Sequence, residues 1–175
     1  MDLKKYIRTV PNFPNDGIMF RDVTTLFNDA GAFKKVVCQF KDLWREDKVE
    51  AIAGIDARGF IIGGALATKL GLPFIALRKK GKLPYKTISE EYDLEYGKAS
   101  LEIHTDAIQK GDSILVVDDL IATGGTAIAG VNLIKALGGN IVGCGFIINL
   151  PDVGGAKKLE DSGIKVKSIL TFEGE

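Results

Sequence analysis

Ser113-Ile114-Leu115-Val116-Val117 is the strongest buried-strand signal in the chain, and the segment after it decides the fold. The apolar run leads into Asp118-Asp119-Leu120-Ile121-Ala122-Thr123-Gly124-Gly125-Thr126, and residues 127–137 then carry a helical pattern that stops at Gly138-Gly139. A strand apolar on both faces belongs inside a sheet covered on both sides. Strand followed directly by helix is half of a βαβ unit, and repeated units of this kind build a parallel sheet. The same alternation appears on either side. Ala51-Ile52-Ala53-Gly54-Ile55 is a buried strand, residues 60–70 a helix closed by Gly71, and Pro73-Phe74-Ile75-Ala76-Leu77 a second buried strand. Residues 141–150 form another strand, ended by Pro151; a short helix over 155–161 then leads to Val166-Lys167-Ser168-Ile169-Leu170. The expected fold is α/β, with a parallel central sheet flanked by helices.

Two regions stand apart. Tyr92-Asp93-Leu94-Glu95-Tyr96 and Ser100-Leu101-Glu102-Ile103-His104 alternate and are expected to pair antiparallel around Gly97, while residues 81–91 show no clean periodicity. Near the start, residues 9–17 carry Pro11, Pro14 and Gly17 and read as irregular chain; Phe33, Val36, Val37, Phe40, Leu43 and Trp44 then fall at helical spacing.

The chain has 175 residues, the size of one domain, large enough to bury a core without a metal or disulfide. Twenty-three basic residues balance twenty-three acidic ones, which argues against a general nucleic-acid binder. Cys38 and Cys144 have neither metal-ligand spacing nor a disulfide framework, and a reducing compartment is the simple reading. Met1-Asp2-Leu3-Lys4-Lys5-Tyr6 has no apolar signal core, and the longest apolar stretch, residues 60–67, is too short to span a bilayer. Secretion and membrane insertion are not expected.

In open parallel sheets ligands bind beyond the carboxyl ends of the strands, so the chemistry should come after each strand. Adjacent carboxylates such as Asp118 and Asp119 repel each other and are tolerated where a ligand supplies hydroxyl donors or a cation. The small residues after them let backbone N–H groups approach a ligand, and the helix start adds its positive end. Thr123 and Thr126 add hydroxyls. Acid pair then phosphate cradle suits a sugar phosphate. The segment lacks the lysine of a Walker loop and the spacing of the dinucleotide fingerprint. Arg58, in Asp56-Ala57-Arg58-Gly59, is placed to meet an anion at a helix start. Arg78, Lys79, Lys80 and Lys82 form a basic cluster after the second buried strand, which an anion would relieve. His104, the only histidine, has no obvious carboxylate partner and reads as structural, and no nucleophile-and-base grouping is visible.

The run from Val116 to Thr126 resembles the ribose-5-phosphate-binding signature of the type I phosphoribosyltransferases. The resemblance extends through Phe13-Pro14-Asn15-Asp16-Gly17-Ile18-Met19-Phe20-Arg21-Asp22, Gly54-Ile55-Asp56-Ala57-Arg58-Gly59-Phe60, Arg78-Lys79-Lys80-Gly81-Lys82-Leu83-Pro84 and Leu94-Glu95-Tyr96-Gly97-Lys98, five blocks in the family's order. It implies one phosphoribosyltransferase domain over the whole chain, with a small N-terminal hood at about residues 1–30 and a flexible antiparallel flap at about 79–104. It implies transfer of the 5-phosphoribosyl group from 5-phosphoribosyl 1-pyrophosphate to a purine, giving the nucleotide and pyrophosphate, with Mg²⁺ carried by the sugar pyrophosphate.

The roles it implies run residue by residue. Asp118, Asp119, Ala122, Thr123, Gly124, Gly125 and Thr126 would hold ribose 5-phosphate. Asp56, Ala57, Arg58, Arg78, Lys79 and Lys82 would meet pyrophosphate; the family often has serine where Ala57 stands, so backbone amides would serve there. Met19, Phe20 and Arg21 form the hood that reads the base, largely through backbone groups. A C=O near Arg21 and an N–H near Met19 would select adenine, making AMP. Glu95, by pattern a solvent-facing strand residue, would be the carboxylate nearest the purine and the anomeric carbon, with Arg58 as its catalytic companion. A homodimer in the cytoplasm, serving purine salvage, completes the expectation.

Overall fold

Strands that are apolar on both faces need two covers, and the computed structural model, which describes residues 1–94 and 96–174, supplies one on each side of the sheet. Strands β1 (Arg8–Pro11) and β2 (Met19–Asp22) form a separate antiparallel ribbon, followed by the single turn α1 (Thr24–Phe27) and by α2 (Ala30–Leu43). Then come β3 (Ala51–Ile55), α3 (Arg58–Leu70), β4 (Phe74–Lys79), β5 (Thr87–Asp93), β6 (Lys98–His104), β7 (Ser113–Ile121), α4 (Gly125–Ala136), β8 (Asn140–Asn149), α5 (Gly155–Asp161) and β9 (Val166–Thr171). The seven-stranded sheet runs β5-β6-β4-β3-β7-β8-β9; its last five strands in that order are mutually parallel, and β5 and β6 are antiparallel additions at the β4 edge.

Alternation sorts the core. Ala53, Ile55, Ile114 and Val116 pack with Val131 and Ile134 of α4 and Leu159 of α5. Ile52, Leu115 and Val117 point the other way, against Val36 and Phe40 of α2 and Ile62 and Leu66 of α3. Helix α2 starts where the Asp29 carboxylate accepts the Ala32 N–H at 2.8 Å, satisfying an amide the helix itself cannot. Helix α3 ends at Gly71, whose φ of +66° is the left-handed cap that glycine takes without strain. The hood is rooted rather than free: Leu3, Ile7, Val23 and Leu26 are buried in the α2-side core. Asp22 ties the far end of β2 down. The Thr24 hydroxyl, helped by the Arg8 guanidinium 2.6 Å away, holds its carboxyl at about 2.

Several boundaries differ from expectation. Residues 9–11 belong to β1 and are not irregular. Strand β5 begins at Thr87 and ends at Asp93, where alternation pointed to residues 92–96; its seven-residue pairing with β6 and a bond from Asn132 Nδ2 of α4 to Glu90 Oε1 (3.1 Å) organise a stretch that is polar in sequence. Most of the expected flap is therefore a hairpin within the main sheet. Strand β7 continues through Asp118 and Asp119 to Ile121, because β8 keeps pairing with it, Asp118 opposite Phe146 and Leu120 opposite Ile148. The acid pair sits near the end of the strand and not after it. Both cysteines are free, and burial pushes the Cys144 thiol up to about 12, which makes it packing and not a nucleophile. Among the described residues no helix is long and apolar enough to cross a membrane.

Candidate active site

The chain leaves β3 through α3 to reach β4 on one side, while β7, on the other side of β3, leads into α4 on the opposite face. The carboxyl ends of β3 and β7 thus flank a topological switch point, where open α/β sheets leave a crevice. Close packing brings the two strand ends together. A Cβ at Gly59 would lie 2.9 Å from Asp118 Oδ1 and 3.0 Å from the Val117 carbonyl, so only glycine lets the start of α3 rest on β7. The Asp56–Ala57 peptide in this turn is cis.

That packing delivers Arg58 to the acid pair. Its Nε lies 2.5 Å from Asp119 Oδ2; the arginine side chain is 47% exposed and the aspartate 5%, so a half-open cation covers a buried anion. Burial, the largest single influence, works against the guanidinium charge, but the charge and hydrogen bond of Asp119, joined by Asp118 and Asp22, together raise the Arg58 pKa. Asp118 differs. Burial first, then the neighbouring Asp119 charge, push its carboxyl well above the usual range, although it accepts the Asp119 N–H at 2.8 Å. The strand end therefore presents one ion-paired carboxylate beside one that resists ionisation. Two such groups can accept hydrogen bonds from vicinal hydroxyls without the full cost of two adjacent charges.

Beyond Ile121 the chain turns through residues 122–124 into α4, with Gly124 at φ +85°. The back of this turn is closed by backbone. The Gly155 N–H donates to the Ala122 carbonyl at 2.9 Å, and a Cβ at Gly155 would fall 2.6 Å from the Gly124 nitrogen and 2.7 Å from the Thr123 carbonyl carbon. The contact of Gly155 with this turn is one that sequence reasoning missed; its only signal was a Gly-Gly pair opening the helix after Pro151. The front of the helix start is covered by β5, with the Tyr92 ring 3.6 Å from where a Gly125 Cβ would stand.

The basic cluster divides. Asp56 accepts from Arg78 Nε and from the Lys79 N–H, both at 3.4 Å, and Arg78 also lies over the Phe60 ring and donates to the Lys82 carbonyl. Asp56 and Arg78 hold each other. A cavity of about 890 Å³ occupies the switch point, well within the size of small-molecule sites. Of the residues singled out in sequence, Asp56, Ala57, Arg58, Lys79, Asp118, Asp119, Ala122, Thr123, Gly124 and Thr126 line it; Arg78, Lys82 and Gly125 do not. Lys80, Tyr92, Lys98 and Phe146 line it without having been assigned a role. Met19, Phe20 and Arg21 stand outside the cavity wall; Phe20 is next to it, since the Arg58 guanidinium lies 5.9 Å from its ring centre. Phe13 packs edge-on against Phe20. Glu95 lies outside the described residues. His104 accepts the Tyr85 N–H at 3.3 Å at the base of the hairpin, a structural contact.

The switch-point crevice thus joins a carboxylate pair, a glycine-walled helix start and a row of cations. The chain belongs to the phosphoribosyl transferase family, whose domain profile matches residues 28–173. Its relatives are more specific. It is 55% identical over 173 residues to the adenine phosphoribosyltransferase of Dinoroseobacter shibae, covering 99% of this chain and 97% of that protein. The crystal structure of adenine phosphoribosyltransferase from Thermoanaerobacter pseudethanolicus superimposes with a TM-score of 0.94 at 43% identity, covering 97% of this chain and 98% of that one. The Saccharomyces cerevisiae adenine phosphoribosyltransferase, complexed with an imino-altritol bisphosphate and adenine, does so with a TM-score of 0.90 at 37% identity, covering 96% of both.

Proposed function

We propose that this chain transfers the 5-phosphoribosyl group of 5-phosphoribosyl 1-pyrophosphate to adenine, yielding AMP and pyrophosphate for purine salvage. The observation that carries the reading is the Arg58–Asp119 pair, which sets an anion-seeking cation and a hydroxyl-seeking carboxylate 2.5 Å apart at the start of the residue 122–126 turn. Ribose hydroxyls donate to Asp118 and Asp119. The 5-phosphate takes the N–H groups of Ala122, Thr123, Gly124, Gly125 and Thr126 and the two threonine hydroxyls, aided by the positive end of α4. Arg58 then turns from Asp119 to pyrophosphate, joined by Lys79 from the cavity wall and by Arg78 and Lys82 from behind it, with Asp56 and Ala57 shaping the turn.

The C1–oxygen bond to pyrophosphate breaks with its electron pair going to the leaving oxygen, adenine N9 bonds to C1, and the N9 proton passes to the departing pyrophosphate through solvent. The reaction needs alignment and stabilisation of developing charge, not a protein nucleophile. No group of three or more His, Cys, Asp or Glu able to hold a metal ion occurs among the described residues, but the oxygens of Asp119, with Asp118 beside it, would be available to Mg²⁺ carried on the sugar pyrophosphate. Bound there, it would neutralise leaving-group charge. Adenine lies against Phe20. Strand β2 has one partner, so its other edge offers N–H and C=O groups to a planar base: a carbonyl near Arg21 for the 6-amino group and an N–H near Met19 for N1. Glu95 is the carboxylate we assign nearest the purine and C1.

The same reading makes the protein a cytoplasmic homodimer that binds no nucleic acid, in keeping with its zero net charge. The test is turnover with the sugar pyrophosphate, Mg²⁺ and each purine separately, with the product identified by mass. AMP from adenine alone supports the assignment; IMP, GMP or XMP in preference, or no nucleotide at all, contradicts it.

A further inference from the structure

The C-terminal tail reaches the hood through one aromatic ring. Phe172 lies just past β9, and its backbone is pinned on both sides: its N–H donates to the Asn149 carbonyl at 3.1 Å, and two residues on, the Gly174 N–H donates to Asp152 Oδ2 at 2.7 Å. Its ring receives two cations from the N-terminal region, the Arg21 guanidinium at 4.6 Å and the Lys4 ammonium at 5.2 Å from the centroid. Arg21 is held a second time, because its Nη1 donates to Thr9 Oγ1 at 2.7 Å, and Thr9 faces Arg21 across the β1–β2 ribbon. A guanidinium fixed at once by a hydroxyl and by an aromatic face has little freedom left, and it belongs to the strand assigned to read the base.

The ribbon is not hydrogen-bonded to the seven-stranded sheet. Its root is buried through Val23 and Leu26, but β2 itself contributes no fully buried residue. Something must hold its free edge at a fixed height above the switch point, because hydrogen bonds to a base edge tolerate only a few tenths of an ångström. Phe172 is the group placed to do so. It extends from β9, a strand of the main sheet, and so ties the position of Arg21 to the same framework that carries Asp118 and the residue 122–126 turn.

We propose that Phe172 is a positioning residue for base recognition, gripping Arg21 and Lys4 so that the edge of β2 stands where adenine can pair with it. This rests on the hood reading above, in which β2 contacts the base. The ring touches no substrate itself. It acts through Arg21, and its loss should appear in adenine binding and not in sugar-phosphate binding.

The test uses four single variants of the full chain and steady-state kinetics with both substrates varied. Phe172→Leu keeps apolar bulk but removes the π face. It should raise KM for adenine about five- to tenfold, leave KM for the sugar pyrophosphate within about twofold, and keep the thermal midpoint near that of the parent. Phe172→Tyr should restore KM for adenine, and Phe172→Ala should be at least as impaired as the leucine variant. Phe20→Ala tests the hood reading independently. If Phe20→Ala raises KM for adenine and Phe172→Leu does not, the tail proposal is overturned and the hood reading stands. If neither variant changes it, both fall. If Phe172→Leu weakens both substrates alike and lowers the midpoint, Phe172 is packing only, and the proposal is overturned.

Discussion

Substituting Gly155 by alanine adds one methyl group to the wall behind the turn of residues 122–126. The added carbon would stand 2.6 Å from the Gly124 nitrogen and 2.7 Å from the Thr123 carbonyl carbon, and both are backbone atoms that cannot rotate away. The Ala122 carbonyl oxygen lies closer still, so restoring ordinary contact at 3.4 Å requires the turn or the start of α5 to move by about 1.1 Å. The φ of Gly155 is not in the left-handed region, so the effect is steric and not conformational. Overpacking of this kind costs about 1–3 kcal/mol, or a fall of about 2–12 °C in midpoint for a chain of this size. The kinetic cost should be larger than the stability cost suggests, because displacing a binding group by about 1 Å can cost roughly a hundredfold in rate. We expect kcat/KM for the sugar pyrophosphate to fall about 10- to 100-fold, with KM for adenine changing much less. Gly154→Ala is the control. Gly154 has φ +90° and nothing within 4 Å of an added Cβ, so alanine there should strain the backbone by about 1 kcal/mol while leaving the turn in place. A Gly155→Ala enzyme with kcat/KM within about twofold of the parent would refute the claim that this backbone contact shapes the cradle.

Arg58→Ala should uncover the buried Asp119 carboxylate, destabilising the ligand-free protein by about 1–2 kcal/mol given the exposure of the arginine, and should weaken pyrophosphate binding roughly tenfold by calorimetry; adding Asp119→Asn should return the midpoint but not the affinity. Asp118 binds a proton more tightly folded than unfolded, so its contribution to stability is full below 3.8 and declines as pH rises through its elevated folded value. Urea midpoints from about pH 4 to 8 should therefore fall less steeply for Asp118→Asn than for the parent, while sugar-phosphate turnover drops about a hundredfold. Asp22 has the opposite sign: its contribution is present above 3.8 and lost as pH falls through about 2, so hydrogen exchange in β1 and β2 should quicken over that window before it does in β7.

The parallel sheet was legible because β3 and β7 are apolar on both faces, a pattern few other structures permit. The acid pair and small-residue turn stood out for a related reason, since a packed core does not tolerate them, and the structure places them on the wall of the switch-point cavity. What escaped the sequence were contacts between distant segments. Arg58 and Asp119, 61 residues apart, were each read as facing a ligand, and no pattern along the chain says that they first face each other. Gly155 and Phe172 escaped because a glycine at a helix start and an aromatic after a strand are commonplace until the turn or the arginine they touch is known. Strand β5 escaped because Glu90 interrupts its inward face between Ile88 and Tyr92; it is an edge strand, ordered by pairing with β6, by Ile88 and Tyr92 against the core and by Asn132 on α4.

The central claim is that the end of β7 and the turn behind it grip a pentose phosphate while β2 reads the base above it. A crystal structure with AMP tests it most directly. The expected complex has the phosphate among the N–H groups of residues 122–126, the ribose hydroxyls on Asp118 and Asp119, and the adenine ring against Phe20 with its 6-amino group on a β2 carbonyl. A nucleotide bound with its phosphate away from that turn, or with its base directed away from β2, would contradict it.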